Sequence, residues 1–197
     1  DLHQSAENGA VARGLVSGEL SKADYTSLVS QMYLFNRRLD DAVKAHRDEQ
    51  PSLKALIDDE QLQTPYYEAD LADLGVDSAS LTPTPGTADA IALVERVEAE
   101  NPADLLALHY VREGANNGNR FVAKKLMQAW EQQDLTGMKH LDPYGKAQRS
   151  KWDAFKETLN AQPFSDDEKR SLVATGREMF KAVIAIHSDV EAGAAAG

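Results

Sequence analysis

Residues 21–45 read SKADYTSLVSQMYLFNRRLDDAVKA, and the spacing within this stretch decides the fold class. Tyr25, Leu28, Val29, Met32, Tyr33, Phe35, Asn36 and Leu39 recur at three- and four-residue intervals. That is the period of one helix face, not the alternation of a half-buried strand. Ser21, with Asp24 three residues on, supplies a start resembling a capping box. The pattern continues through Ala42, Val43 and Ala45 and breaks at Glu49-Gln50-Pro51, so one long amphipathic helix is predicted.

The flanking stretches read the same way. Leu2 to Val16 reads as a helix closing near Gly18, and a short helix is expected around Leu53 to Asp58. Thr64 is expected to cap a brief helix over Tyr66–Leu74 closed by Gly75, and residues 76–86, rich in Ser, Thr and Pro, form a surface loop. A helix over Thr87–Glu98 precedes Asn101-Pro102, an N-cap and first-position proline that open a long helix carrying Leu105, Leu106, Leu108, Val111, Phe121, Val122, Leu126, Met127 and Trp130. Asp142-Pro143-Tyr144-Gly145 marks a turn, Trp152, Phe155 and Leu159 lie on a further helix ended by Pro163, and Ser165 to Glu168 caps a last helix reaching about His187. No strand pattern and no internal repeat is visible. The expectation is an all-α, multi-helical bundle of one domain over residues 1–191, with 192–197 a frayed tail.

Composition narrows the chemistry. Of 197 residues, 42% are apolar and 27% charged, which suits a globular domain with a real core. There is no cysteine, so a disulfide scaffold, a thiolate-bound heme and an iron–sulfur cluster held by this chain are all excluded. No apolar run approaches the roughly 20 residues that span a bilayer, and Asp1-Leu2-His3-Gln4 shows no basic region followed by an apolar stretch, the mark of a signal peptide. A cytoplasmic, monomeric protein is expected. The net charge of −11 disfavours a nucleic-acid partner, so any anionic ligand must meet a local cluster of cations.

Two features stand out as candidate sites. Gly114 and Gly118 are four residues apart and share one face of a helix that also holds Asn116, Asn117 and Asn119. Each interior glycine costs about 1 kcal/mol relative to alanine. Such weakness makes sense where backbone must approach a flat ligand that a Cβ would block, and equally at a kink or a close helix crossing. His3 stands four residues before Glu7, so on a helix the carboxylate can take the ring N–H and raise the basicity of the other nitrogen, as metal-ligating histidines require. A surface pair near a terminus has the same spacing. His46 and His140 read as solvated, His187 as a favourable cation near a helix C-terminus, and His109 as a residue that could border a site. There is no HExxH, P-loop or GxGxxG motif.

Three ordered blocks carry a family resemblance. Leu2-His3-Gln4-Ser5-Ala6-Glu7-Asn8, followed by Gly18-Glu19-Leu20-Ser21, Tyr25, Met32-Tyr33-Leu34-Phe35 and Leu39, resembles the first two helices of heme oxygenases. Tyr110 to Leu126 resembles the distal helix of that family, and Asp142-Pro143-Tyr144-Gly145 with Trp152, Phe155 and Leu159 resembles a later segment. The resemblance runs from His3 to about His187. It implies oxidative opening of heme to biliverdin, CO and iron, with heme both cofactor and substrate, O2 consumed, and electrons supplied by a ferredoxin or a flavoprotein reductase. It implies His3 as the iron ligand supported by Glu7, Gly114 and Gly118 packed on the heme face, and Tyr110 and Phe180 as further heme contacts. Lys156 takes the position of an arginine that pairs with a propionate, and Arg149 and Lys151 are alternatives. The sequence departs from the family at Ala115, where mammalian members carry an aspartate that holds distal water, at Asn36 in place of a tyrosine, and at Asn119 in place of a glycine. Asn116 and Asn117 are then the candidates for ordering that water, and a non-catalytic heme binder or sensor is the alternative reading. A thiaminase-like or di-iron enzyme on a similar bundle is disfavoured by the missing cysteine and the missing carboxylate and histidine ligand set.

Overall fold

The structure, a computed structural model, describes residues 9–196. Eight α-helices make up the described chain: α1 (Ala10–Ser17), α2 (Lys22–His46), α3 (Pro51–Leu56), α4 (Thr64–Asp73), α5 (Pro85–Glu100), α6 (Leu105–Ala129), α7 (Gln148–Asn160) and α8 (Asp166–Ala196). No strand occurs among the described residues. The all-α expectation is met.

The helix starts follow local chemistry. Ser21 Oγ accepts the Asp24 N–H at 3.0 Å at the head of α2. At α8, Glu168 N–H donates to Ser165 Oγ at 3.2 Å while Ser165 N–H donates to Glu168 Oε2 at 2.7 Å, a reciprocal capping box. Gly18 ends α1 in the left-handed region (φ 80°), and its unhindered backbone lets the turn close against the Lys125 carbonyl of α6.

Several boundaries differ from expectation. Gly9 is extended at the N-cap of α1, so within the described residues the first helix begins at Ala10. Thr64 does not cap α4 but lies in its first turn, because its N–H and hydroxyl both go to Asp40 of α2. Asn101 precedes a short 3-10 turn (Pro102–Asp104) without a side-chain cap bond. The last helix does not stop near His187: α8 continues to Ala196, and Ile186 and Val190 still bury apolar surface along it.

Helices α2 and α8 form the middle of the bundle. α2 packs on α4, α5, α6 and α8, while α8 packs on α1, α2, α5 and α6. Tyr25, Phe35, Leu39, Leu53, Leu71, Leu105, Leu106, Leu108, Leu126, Met138, Met179 and Ile186 are the largest fully buried side chains of this core. No helix among the described residues is long and apolar enough to cross a membrane.

Candidate functional site

Helix α6 separates two environments. Its inner side presents Leu105, Leu108, His109, Arg112, Glu113, Asn116, Ala123 and Leu126, all buried. Its outer side carries Tyr110, Gly114, Ala115, Gly118 and Phe121, and Phe121 is 67% exposed. Tyr110, Gly114, Gly118 and Phe121 follow at intervals of four, four and three residues, so one stripe has aromatic ends and a bare middle.

The two glycines are not equivalent. A Cβ on Gly118 would meet nothing within 4 Å, whereas one on Gly114 would lie 3.3 Å from Cη2 of Trp152 on α7. The Trp152 ring stands 5.5 Å from Tyr110 and 5.6 Å from Phe155, the latter nearly parallel at 11°. An aromatic wall therefore rises beside Gly114 while the backbone at Gly118 stays open. Lys156, one turn beyond Trp152, bonds Asp153 at 2.9 Å and holds its ammonium 5.6 Å over the Trp152 ring. Arg149 is exposed with a loose contact to Asp153, and Lys151 pairs with Glu60. Phe180 is half-buried on α8.

The asparagines point elsewhere than the bare stripe. Asn117 turns back to donate to the Gly114 carbonyl at 3.0 Å. Asn116 is buried and its Nδ2 reaches Glu113 Oε2 at 3.4 Å. Glu113 Oε2 also accepts the Tyr144 hydroxyl at 3.0 Å. Burial raises the Glu113 pKa above the ordinary carboxyl range, against the lowering effects of Tyr144 and Arg112, and it pushes the Tyr144 phenol well up, as does Glu113 itself.

Next to this pair lies a buried charged network. Arg112 Nη2 is 2.6 Å from Asp40 Oδ1, Nε donates to His109 Nδ1 at 3.2 Å, and Nη1 donates to Asn36 Oδ1 at 3.3 Å. Asp40 Oδ2 accepts both the N–H and the hydroxyl of Thr64, at 2.7 and 2.6 Å. Burial and then Arg112 hold the His109 pKa well below its usual value, so this histidine lies in the core as a neutral acceptor. Arg112, Glu113, Asp40 and Tyr144 were not singled out in the sequence. The available signal was charge at core-facing helix positions: Asp40 one residue after Leu39, and Arg112 and Glu113 in register with Leu105 and Leu108.

Other histidines also depart from expectation. His140 is buried, not solvated: Asp70 Oδ2 takes its backbone N–H at 2.9 Å and contacts its Nδ1 at 2.7 Å, and Tyr67 stacks on the ring at 4.3 Å. His46 is half-buried with Nε2 3.1 Å from Glu98 Oε1. His187 lies within α8, not at its end, and burial lowers its pKa with Glu191 opposing, so it is a poor helix-terminal cation. His3 and Glu7 lie outside the described residues.

A flat macrocycle with two carboxylates fits these residues. Bare backbone at Gly118, a thin seat at Gly114, aromatic rings at Tyr110 and Trp152, and a cation at Lys156 supply contact, edge packing and charge. A pocket of about 230 Å³ lined by Leu56, Asp58, Gln61, Lys151 and Phe155 lies away from the glycines and is smaller than such a ligand needs.

The sequence profile of the heme oxygenase family matches residues 1–189. Among solved structures, the chain resembles heme oxygenase-2 of Synechocystis sp. PCC 6803 in complex with heme and NO (TM-score 0.89, 21% identity, 96% of this chain and 80% of that one). It also resembles heme oxygenase-1 of that cyanobacterium in complex with heme (0.87, 19% identity, 98% and 88%) and the heme oxygenase of Leptospira interrogans (0.88, 21% identity, 95% and 93%). No curated protein matches the chain at a significant level.

Proposed function

The chain belongs to the heme oxygenase family, and from that premise we propose that it binds heme and opens the ring oxidatively, giving biliverdin, CO and ferrous iron. The observation that carries the reading is the bare stripe of α6, where Gly114 and Gly118 expose backbone between Tyr110 and Phe121. Bound heme supplies the iron at which O2 is reduced and the ring that is consumed.

The chain's own residues bind, orient and hold protons. His3 ligates the iron and Glu7 fixes its ring. Gly114 and Gly118 would let the helix backbone lie against the flat ring, which a larger side chain would hold away. Tyr110 and Phe180 contact the macrocycle. Lys156 leaves Asp153 for a propionate, with Arg149 the nearer alternative to solvent. Asn117, tied to the Gly114 carbonyl, stays available to order water only if that bond is released. Asn116 links the helix to Glu113, whose carboxyl keeps its proton above the usual range. Electrons come from a ferredoxin or flavoprotein reductase, and Arg120, Lys124 and Lys125, within the two turns beyond Gly118, form the cationic patch suited to such an acidic partner.

A specific observation favours a second reading, a heme binder that does not turn over. Ala115 is exposed beside the glycines and Asn116 faces inward, so among the described residues of α6 no acidic side chain shares the bare stripe. Heme titration followed by a single turnover with a competent reductase distinguishes the two. Bilin absorption and CO release support the oxygenase; a stable heme complex with O2 and no bilin supports the binder.

A further inference from the structure

Helix α1 is capped from the far end of the chain. Its N-cap residue, Gly9, has no side chain to satisfy the first-turn amides. Glu191 of α8 does so instead: its Oε1 accepts the Val11 N–H at 2.8 Å across 180 residues. A Cβ built on Gly9 would fall 2.8 Å from the same oxygen, so glycine leaves the space that the carboxylate uses. A negative group at this helix end is also favoured by the helix dipole.

The contact is part of a pair. Two residues earlier on α8, Asp189 Oδ2 accepts the Gly86 N–H at 2.6 Å in the first turn of α5, where a Cβ on Gly86 would strike the Ala185 carbonyl at 2.8 Å. The end of α8 thus holds two helix N-termini. Only α1 leads back toward Glu7 and His3. Its other end is seated by Gly18 against the Lys125 carbonyl of α6, the helix that bears the bare stripe.

We propose that Glu191 is a positioning residue for heme: by tethering the head of α1 to α8 it governs how the preceding segment, with His3, ligates the iron. This rests on the heme reading above. A cap and a tether are separable. A serine at position 9 can cap α1 by itself, but it cannot tie α1 to α8.

Four full-length proteins test this: wild type, Glu191→Ala, Glu191→Gln, and Glu191→Ala with Gly9→Ser. Hydrogen exchange at the Val11 amide reports the cap, and heme titration with the axial-ligand spectrum reports positioning. Glu191→Ala is expected to speed Val11 exchange and weaken heme binding roughly tenfold, the scale of one lost cap. Glu191→Gln, which keeps an acceptor oxygen, is expected to stay near wild type in both. The double variant is expected to recover Val11 protection while heme affinity and the ligand spectrum stay impaired. Recovery of both, or normal heme ligation in Glu191→Ala, overturns the proposal and leaves the heme reading standing. A wild type that binds no heme overturns both.

Discussion

Arg112 and Asp40 face each other at 2.6 Å with both side chains almost wholly out of solvent. They join the N-terminal half of α6 to the C-terminal half of α2, and His109, Asn36 and Thr64 complete the network on either side. Charges withdrawn from water in this way depend on each other, because the attraction replaces hydration that neither side chain retains.

Removing one partner leaves the other uncompensated. Arg112→Met or Asp40→Asn alone is expected to destabilise the fold by about 3–5 kcal/mol. The double variant is expected to be less costly than the sum of the singles, though not free, since the amide offers Thr64 a single uncharged oxygen in place of the carboxylate. Urea unfolding of the four proteins measures the coupling.

Glu113 gives the fold a pH dependence of definite sign. Its pKa is raised by burial, so the folded state binds the proton more tightly than the unfolded state does. Stability from this group is fully present below the unfolded carboxyl pKa, about 4.3, and is lost as pH rises through the higher folded value. Glu113→Gln is therefore expected to flatten the decline, gaining on wild type as pH rises above the ordinary carboxyl range. A variant whose stability relative to wild type does not change with pH would contradict this.

The two glycines should respond differently to substitution. Gly118→Ala meets open space and is expected to stabilise α6 by up to about 1 kcal/mol, while Gly118→Leu should fold normally and lose heme affinity. Gly114→Ala must push the Trp152 indole, 3.3 Å away, by a few tenths of an ångström, so its emission spectrum should shift even without ligand. Thermal melts, heme titration and tryptophan emission read the three effects.

His3→Ala is expected to abolish the six-coordinate ferric heme spectrum and turnover, with partial return on adding imidazole. Glu7→Ala is expected to be milder, changing ligand basicity while binding persists. An unchanged Soret band in His3→Ala would refute the assignment of the iron ligand.

Helices were legible because periodicity and caps are local. Ser21 with Asp24 and Ser165 with Glu168 announce α2 and α8, and the spacing from Tyr25 to Leu39 gives the buried face of α2. What stayed hidden depends on partners distant in sequence. Thr64 has the composition of a cap, but Asp40, 24 residues earlier, claims its hydrogen bonds. His140 sits among polar neighbours and reads as solvated, yet Asp70 draws it inside. Gly114 and Gly118 were visible as a pair, but nothing local distinguishes the one that seats Trp152 from the one left open. The Glu191 contact with Val11 is likewise invisible to any window shorter than the chain.

The connection from α6 to α7 has two halves with opposite tolerances. Asp70 takes the N–H groups of Lys139 and His140, Asp73 takes that of Gly137, and Tyr25 donates to the Gly137 carbonyl at 3.0 Å. Just before this anchored part, Gln133, Asp134 and Thr136 are exposed. A peptide tag or a small reporter domain spliced between Gln133 and Asp134 should leave the bundle intact, whereas the same insert four residues later would separate groups that bind the loop to α4. The protein thus offers an internal attachment point, remote in the chain from both Gly118 and the α1–α8 tether.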